Sequence, residues 1–211
     1  MRALARGALA VFPTEGLYGL GADARSEAAV ERLVAVRGRE AGKPILVLVR
    51  DVAMAETVAA EVPEGARRLA ARFWPGPLTL VMRARPGLPA ALTAGSGTIG
   101  VRAPGHPVAA AIVDGLGGPV TAPSANPPGK EPPRRLDDAR AYFGDRVDAY
   151  VDGGELPGGG STVASVEGGE LRVLRAGVQS VAAQRAALGG ECWPSSAPCA
   201  RSATTSPVWV A

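Results

Sequence analysis

Apolar residues in this chain come in short blocks separated by glycine, proline and charge, and the length of each block sets the element it predicts. Residues 8–12, 45–49, 78–82 and 98–102 are compact, mostly apolar runs, the size expected of strands, and the unbroken run 45–49 fits a strand covered on both faces. Val30, Leu33, Val34 and Arg37 recur at helical spacing after Ser26, whose hydroxyl suits an N-cap. Stretches 52–60, 63–73, 108–116, 137–143 and 178–188 read as further helices, the second opening on a proline. Trp74-Pro75-Gly76-Pro77 stops that helix abruptly. Short strands are expected near Val120 and over 149–152, and 162–166 with 171–174 flank Glu167-Gly168-Gly169-Glu170 as a hairpin. Strands interleaved with helices in this way fit an α/β protein.

The stretch Phe12-Pro13-Thr14-Glu15-Gly16-Leu17-Tyr18-Gly19-Leu20-Gly21 stands out within this pattern. Pro13 cannot donate to a sheet ladder, so the first strand should end there. Glycines at 16, 19 and 21 allow tight turns and close approach of backbone to a ligand. The expectation is a strand running into a loop that carries Thr14, Glu15 and Tyr18, a common place for a small-molecule site. A sharp strand-to-helix turn without a ligand fits the same residues.

Composition narrows the picture. At 211 residues and 46% apolar, the chain suits one domain over 1–188, followed by a disordered tail over 189–211 where Ser, Pro, Thr and Cys lose all periodicity. A net charge of +3 is too weak to argue for nucleic acid by itself. Of 23 basic residues only Lys43 and Lys130 are lysine, and arginine is the better two-point ligand for phosphate. Both cysteines, Cys192 and Cys199, fall in the tail, which suits a reducing cytosol. No apolar run approaches the ~20 residues of a membrane span. Arg2 and Arg6 ahead of apolar residues faintly suggest a secretion signal, but the run ends at once in Pro-Thr-Glu, so a cytoplasmic location is expected.

The usual covalent-catalysis kit is missing from the sequence: it offers no Ser-His-Asp set, no metal-ligand spacing, no Walker loop and no dinucleotide fingerprint. His106, the only histidine, sits between glycine and proline and reads as structural. Arg37-Gly38-Arg39-Glu40-Ala41-Gly42-Lys43-Pro44 is either a solvated helix end or a phosphate loop. What the chain does offer is cations and hydroxyls at separate strand ends: Thr14, Arg37, Arg39, Lys43, Thr98, Arg102, Ser124, Asn126, Ser161 and Arg175. Such a set suits an anionic substrate whose reaction needs positioning and charge neutralisation, as in phosphoryl or nucleotidyl transfer.

Taken in order, Pro13-Thr14-Glu15, Tyr18-Gly19-Leu20-Gly21, Arg37-Gly38-Arg39, Trp74-Pro75-Gly76-Pro77-Leu78-Thr79, Val101-Arg102-Ala103-Pro104-Gly105-His106-Pro107, Ala122-Pro123-Ser124-Ala125-Asn126, Ser161-Thr162-Val163 and Leu174-Arg175-Ala176-Gly177 closely resemble the YrdC-like threonylcarbamoyl-AMP synthases. The resemblance implies an α/β domain with an open, twisted mixed sheet and flanking helices around a basic cleft. It implies an enzyme that joins L-threonine, bicarbonate or CO2, and ATP (with Mg2+) into threonylcarbamoyl-AMP and pyrophosphate, for a partner enzyme that modifies tRNA. Carried over by position, Arg37 and Arg39 would be catalytic at the phosphates with Lys43 beside them. Thr98, Ser124 and Asn126 would hold the nucleotide, and Arg175 would close over it. Arg102 would bind the threonine carboxylate, with Thr14 and Ser161 on the amino acid; no resident metal is implied. The chain departs from the pattern at Arg37 and Glu40, where lysine and proline are usual, and at Gly16, where many members carry a second threonine. Two other readings follow from the same residues: a module of this fold that binds structured RNA (tRNA or double-stranded RNA), or a relative with a different acceptor.

Overall fold

The computed structural model describes residues 2–38 and 43–189. Its strands are β1 (Ala10–Pro13), β2 (Tyr18–Gly21), β3 (Leu46–Leu48), β4 (Leu78–Arg83), β5 (Thr98–Arg102), β6 (Val120–Thr121), β7 (Ala149–Tyr150), β8 (Thr162–Glu167) and β9 (Glu170–Arg175). Its helices are α1 (Glu27–Arg37), α2 (Val52–Ala55), α3 (Glu64–Phe73), α4 (Ala90–Thr93), α5 (Pro107–Leu116), α6 (Leu136–Phe143) and α7 (Val181–Ala187). The strands make two mixed sheets, one of order β2-β1-β7 and one of order β6-β3-β5-β4-β8-β9. Hydrogen bonds stitch β2 to the far sheet: Ala22 N–H donates to Thr121 Oγ1 (2.8 Å) and Leu20 N–H to the Pro123 carbonyl (2.9 Å). The expected open mixed sheet with flanking helices is therefore present, divided into two sheets rather than one.

The glycine-rich stretch after β1 is a correction. It is not an open loop or a strand-to-helix turn but a hairpin, with Ala10 opposite Gly21 and Pro13 opposite Tyr18. Thr14 N–H closes the turn on the Leu17 carbonyl at 3.1 Å. Only Tyr18 and Leu20 mark β2 as a strand, because the alternate positions are glycines. Gly21 packs close to the Phe12 ring, where a Cβ would come within 2.4 Å of Cε1. Stretch 52–60 is also shorter as helix than expected. After α2 the chain unwinds to bond with the end of β4, through Ala60 N–H on the Arg83 carbonyl (2.9 Å). Two short caps behave as local rules require: Ser26 Oγ accepts from Ala29 N–H at the start of α1, and His106 Nδ1 accepts from Val108 N–H at the start of α5. The sole histidine is thus a helix cap.

Phe12, Leu20, Leu33, Leu48, Leu69, Leu80 and Ile99 are buried between sheets and helices. Burial of each large side chain stabilises by about 1.5–3 kcal/mol relative to exposure. Strand order then does the positioning. β5 runs antiparallel to β4, which puts Arg102, the last residue of β5, beside the start of β4. β4 runs parallel to β8 with Leu78 opposite Thr162, and β9 returns to set Arg175 opposite Val163. One end of the large sheet therefore carries Arg102, Thr79, Ser161 and Arg175 together. Among the described residues no helix is long and apolar enough to cross a membrane.

Candidate active-site cavity

A cavity of about 740 Å3 opens between that sheet end, the β1–β2 turn, the end of α1 and the glycine loop before β8. Thr14, Arg37, Lys43, Arg102, Ser124, Ser161 and Arg175 all line it. Among the described lining residues five cations (Arg37, Lys43, Arg102, Arg134 and Arg175) face two carboxylates, Glu15 and Glu131. Arg37 Nε donates to the Ser124 carbonyl at 3.0 Å, which joins the end of α1 to the loop after β6. Thr14 Oγ1 donates to the Leu17 carbonyl at 2.7 Å, so its hydroxyl also serves the hairpin turn.

At the deep wall Arg102 is 4% exposed, and its Nη1 lies 3.3 Å from Glu15 Oε2. Burial pushes the Arg102 guanidinium below its ordinary range, and the Glu15 charge opposes that push. Arg175 Nη2 donates to the Ser161 carbonyl at 2.9 Å and lies 3.4 Å from its hydroxyl. Its guanidinium is also pushed down, first by burial and then by the positive charge of Arg102. Both groups stay protonated, since an arginine does not give up its charge in a protein. The shifts mark two desolvated cations within electrostatic reach of each other, a place that favours an anion. Between them Thr79 Oγ1 and Ser161 Oγ share a hydrogen bond of 2.8 Å, both side chains buried.

Thr98 and Asn126 are not brought to the wall. Thr98 sits four positions before Arg102, about 13 Å back along β5, and its hydroxyl is 2.9 Å from Ser96 Oγ. Asn126 Nδ2 donates to the carbonyls of Lys130 (2.7 Å) and Pro127 (3.0 Å), bracing the proline-rich loop from within. Arg39 and residues 190–211 lie outside the described residues.

A family model described as "Telomere recombination", spanning the Sua5, YciO and YrdC proteins, matches residues 2–177. The chain belongs to this Sua5/YciO/YrdC family. It is 41% identical over 149 residues to a threonylcarbamoyl-AMP synthase of Pyrococcus abyssi, covering 71% of this chain and 44% of that protein. It is 40% identical over 144 residues to the Bacillus subtilis protein of the same name, covering 68% of this chain and 42% of that one. The chain thus spans less than half the length of these two curated relatives. The crystal structure of P. abyssi Sua5 complexed with L-threonine superposes with a TM-score of 0.84 at 36% identity, over 89% of this chain and 56% of that one.

Against the family pattern, Gly16 is explained by packing. A Cβ at this position would lie 2.1 Å from the Gly159 carbonyl oxygen and 2.6 Å from that of Gly158, while Gly158 N–H donates to the Gly16 carbonyl at 3.0 Å. The glycine loop occupies the space that a threonine side chain would need. Glu15, expected in the ligand loop, went unrecognised in the sequence as the partner of Arg102, and Thr79 went unrecognised as a wall residue. Their signal was faint but physical: a carboxylate beside Thr14 in the hinge between strands, and a single hydroxyl inside an otherwise apolar strand.

Proposed function

We propose that this chain is an L-threonylcarbamoyladenylate synthase, a nucleotidyltransferase acting on L-threonine, CO2 or bicarbonate, and ATP. The observation that carries the reading is the convergence of Arg102, Arg175, Ser161, Ser124 and Arg37 on one cavity from five separate segments. The relatives' names and the threonine complex of P. abyssi Sua5 support the choice of substrate.

In this reading Arg102 takes the threonine carboxylate in a charge-assisted, two-point contact. Thr14 and Ser161 hold the rest of the amino acid. The threonine amine, once deprotonated, adds to the carbon of CO2, forming a carbamate as the second amine proton leaves. A carbamate oxygen then attacks the α-phosphorus of ATP in line, and the bond to the bridging oxygen breaks to release pyrophosphate. Arg37, Arg39 and Lys43 neutralise charge that builds on the phosphates, with Ser124 on the nucleotide and Arg175 closing over it, while Thr98 and Asn126 act only through the strand and loop they brace. The reaction asks the protein for orientation and a preorganised positive field, and for no covalent intermediate. Mg2+ would enter bound to the ATP phosphates as part of that substrate; among the described residues no group of three or more His, Cys, Asp or Glu is placed to hold a metal. The product is a mixed anhydride suited to a partner enzyme that transfers the threonylcarbamoyl group to tRNA in the cytoplasm, and residues 1–188 would form the catalytic unit.

Incubation of the purified protein with labelled threonine, bicarbonate and Mg-ATP tests this directly. The expected result is threonine-dependent release of pyrophosphate with a labelled adenylate. Binding of tRNA across a salt series without any pyrophosphate release would favour the RNA-binding reading instead.

A further inference from the structure

Glu15 is held on two sides. Its Oε1 accepts the Gly105 backbone N–H at 2.8 Å, in the loop that leaves β5 just past Arg102, and its Oε2 stands 3.3 Å from Arg102 Nη1. Because Glu15 belongs to the β1–β2 turn, one side chain ties the small sheet's hairpin to the end of a central strand of the large sheet. The pairing is electrostatic and unsaturated: Glu15 Oε2 and Arg102 Nε are both shut away from solvent, and neither has a hydrogen-bond partner. A buried ion pair with unmet groups is a poor device for stability, because desolvation offsets most of the Coulombic gain. Its value lies elsewhere. Arg102 and Arg175 are two like charges in one poorly hydrated wall, and an uncompensated Arg102 would swing away or capture a stray anion.

We propose that Glu15 is a positioning residue. By pairing with Arg102 and bonding Gly105 it fixes the place and orientation of the Arg102 guanidinium, and so sets the affinity for the amino-acid substrate without contacting the nucleotide. The inference rests on the proposed role of Arg102 at the threonine carboxylate.

Glu15→Gln separates charge from shape, since glutamine keeps the size and an acceptor for Gly105 N–H. Threonine Kd by calorimetry, and KM for threonine and ATP by pyrophosphate release, are the readouts. The expected result is a rise of about tenfold in threonine Kd and KM, from lost preorganisation, with KM for ATP unchanged within about twofold. Glu15→Asp, which keeps the charge at shorter reach, recovers part of the loss. In an Arg102→Ala background, Glu15→Gln weakens threonine binding no further, since no guanidinium remains to be positioned. Losses that multiply in the double variant, equal losses for threonine and ATP, or an unchanged threonine Kd in Glu15→Gln would each overturn the proposal. If Glu15→Gln alone folds poorly, melting of the double variant decides: it should melt above Arg102→Ala, whose Glu15 keeps a charged, solvent-shielded Oε2 without its partner, and melting below it overturns the pairing. Multiplying losses in a protein that still binds threonine would remove Glu15's role and leave the proposed function standing. A native chain that binds no threonine would remove both.

Discussion

Among the described residues, the pairs Arg32–Asp148 and Arg102–Glu15 join segments far apart in the chain, and they are built in opposite ways. Asp148 receives Arg32 through two nitrogens, at 2.6 and 3.0 Å, with both side chains about two-fifths exposed, and also accepts the Leu9 N–H at 2.7 Å. At the cavity wall Arg102 lies buried and the Glu15 side chain is 19% exposed, the two 3.3 Å apart, each with a solvent-shielded atom that has no hydrogen-bond partner. The exposed pair is saturated with hydrogen bonds and asks nothing of a ligand. The buried pair leaves donor capacity unused beside a cavity, where an entering carboxylate could take it up. Under-satisfaction in a desolvated place is costly to keep, and in a folded protein it marks a site more reliably than the number of charges does.

The largest effect should come from breaking the buried pair on its cationic side. Arg102→Ala removes both the carboxylate clamp and the counter-charge of Glu15. A charge-assisted hydrogen bond is worth about 1.5–3 kcal/mol, so threonine KM should rise about 10- to 100-fold while KM for ATP stays within about twofold. Steady-state pyrophosphate release at varied threonine and varied ATP checks it, and equal losses for both substrates would contradict the contrast. Stability should fall too, by about 1–3 kcal/mol, because the shielded Oε2 of Glu15 is left without its counter-charge. Arg102→Lys keeps the charge and loses the fork, and should fall between the two on both readouts.

Gly16→Ala comes next. It tests whether the buried pair is pinned by backbone on its open flank, as the collision with the Gly158 and Gly159 carbonyls indicates. Overpacking of this kind costs about 1–3 kcal/mol. For a domain of this size that is a drop in Tm of roughly 2–4 °C per kcal/mol, readable by calorimetry. An unchanged Tm would mean the glycine loop yields freely and does not hold the Glu15 turn.

How much of this was legible beforehand depended on whether local sequence alone set the outcome. β5 falls on Thr98–Arg102 as the sequence predicts, because an apolar run bounded by Gly97 and Pro104 leaves no other reading. The β8–β9 hairpin was equally plain: Gly168 and Gly169 take φ of +59° and +86°, the turn for which paired glycines are the usual choice. β2 was missed since half its residues are glycine, and α4 since four residues are too few to show a period. The cavity followed the same divide. Arg102, Ser124, Ser161 and Arg175 were found as polar groups at strand ends, where strand order must bring some of them together. Glu15 was overlooked as a partner because nothing in its neighbours along the chain says that a strand 87 positions away will deliver a buried guanidinium. Pairings of that kind are made by topology, and spacing cannot show them.

The smallest effect belongs to the exposed pair, and its pH dependence separates it from the buried one. The hydrogen bonds from Arg32 hold the Asp148 carboxyl below its usual range, against a smaller opposing push from burial, with Leu9 N–H assisting. A carboxyl whose folded pKa lies below its unfolded value stabilises fully above the unfolded pKa, and the contribution drains away as pH falls through the folded one. Asp148→Asn should therefore cost about 0.2–1 kcal/mol at neutral pH, the worth of an exposed pair. The gap to the native chain should close in acid below the ordinary carboxylate range, and added salt should narrow it at neutral pH. Denaturant titrations at several pH values check it. A gap that persists at low pH would mean that Asp148 acts through the shape of its bond to Leu9 and not through its charge. The exposed pair would then be a hinge-pin of the backbone, and the contrast with Glu15 and Arg102 would rest on burial alone.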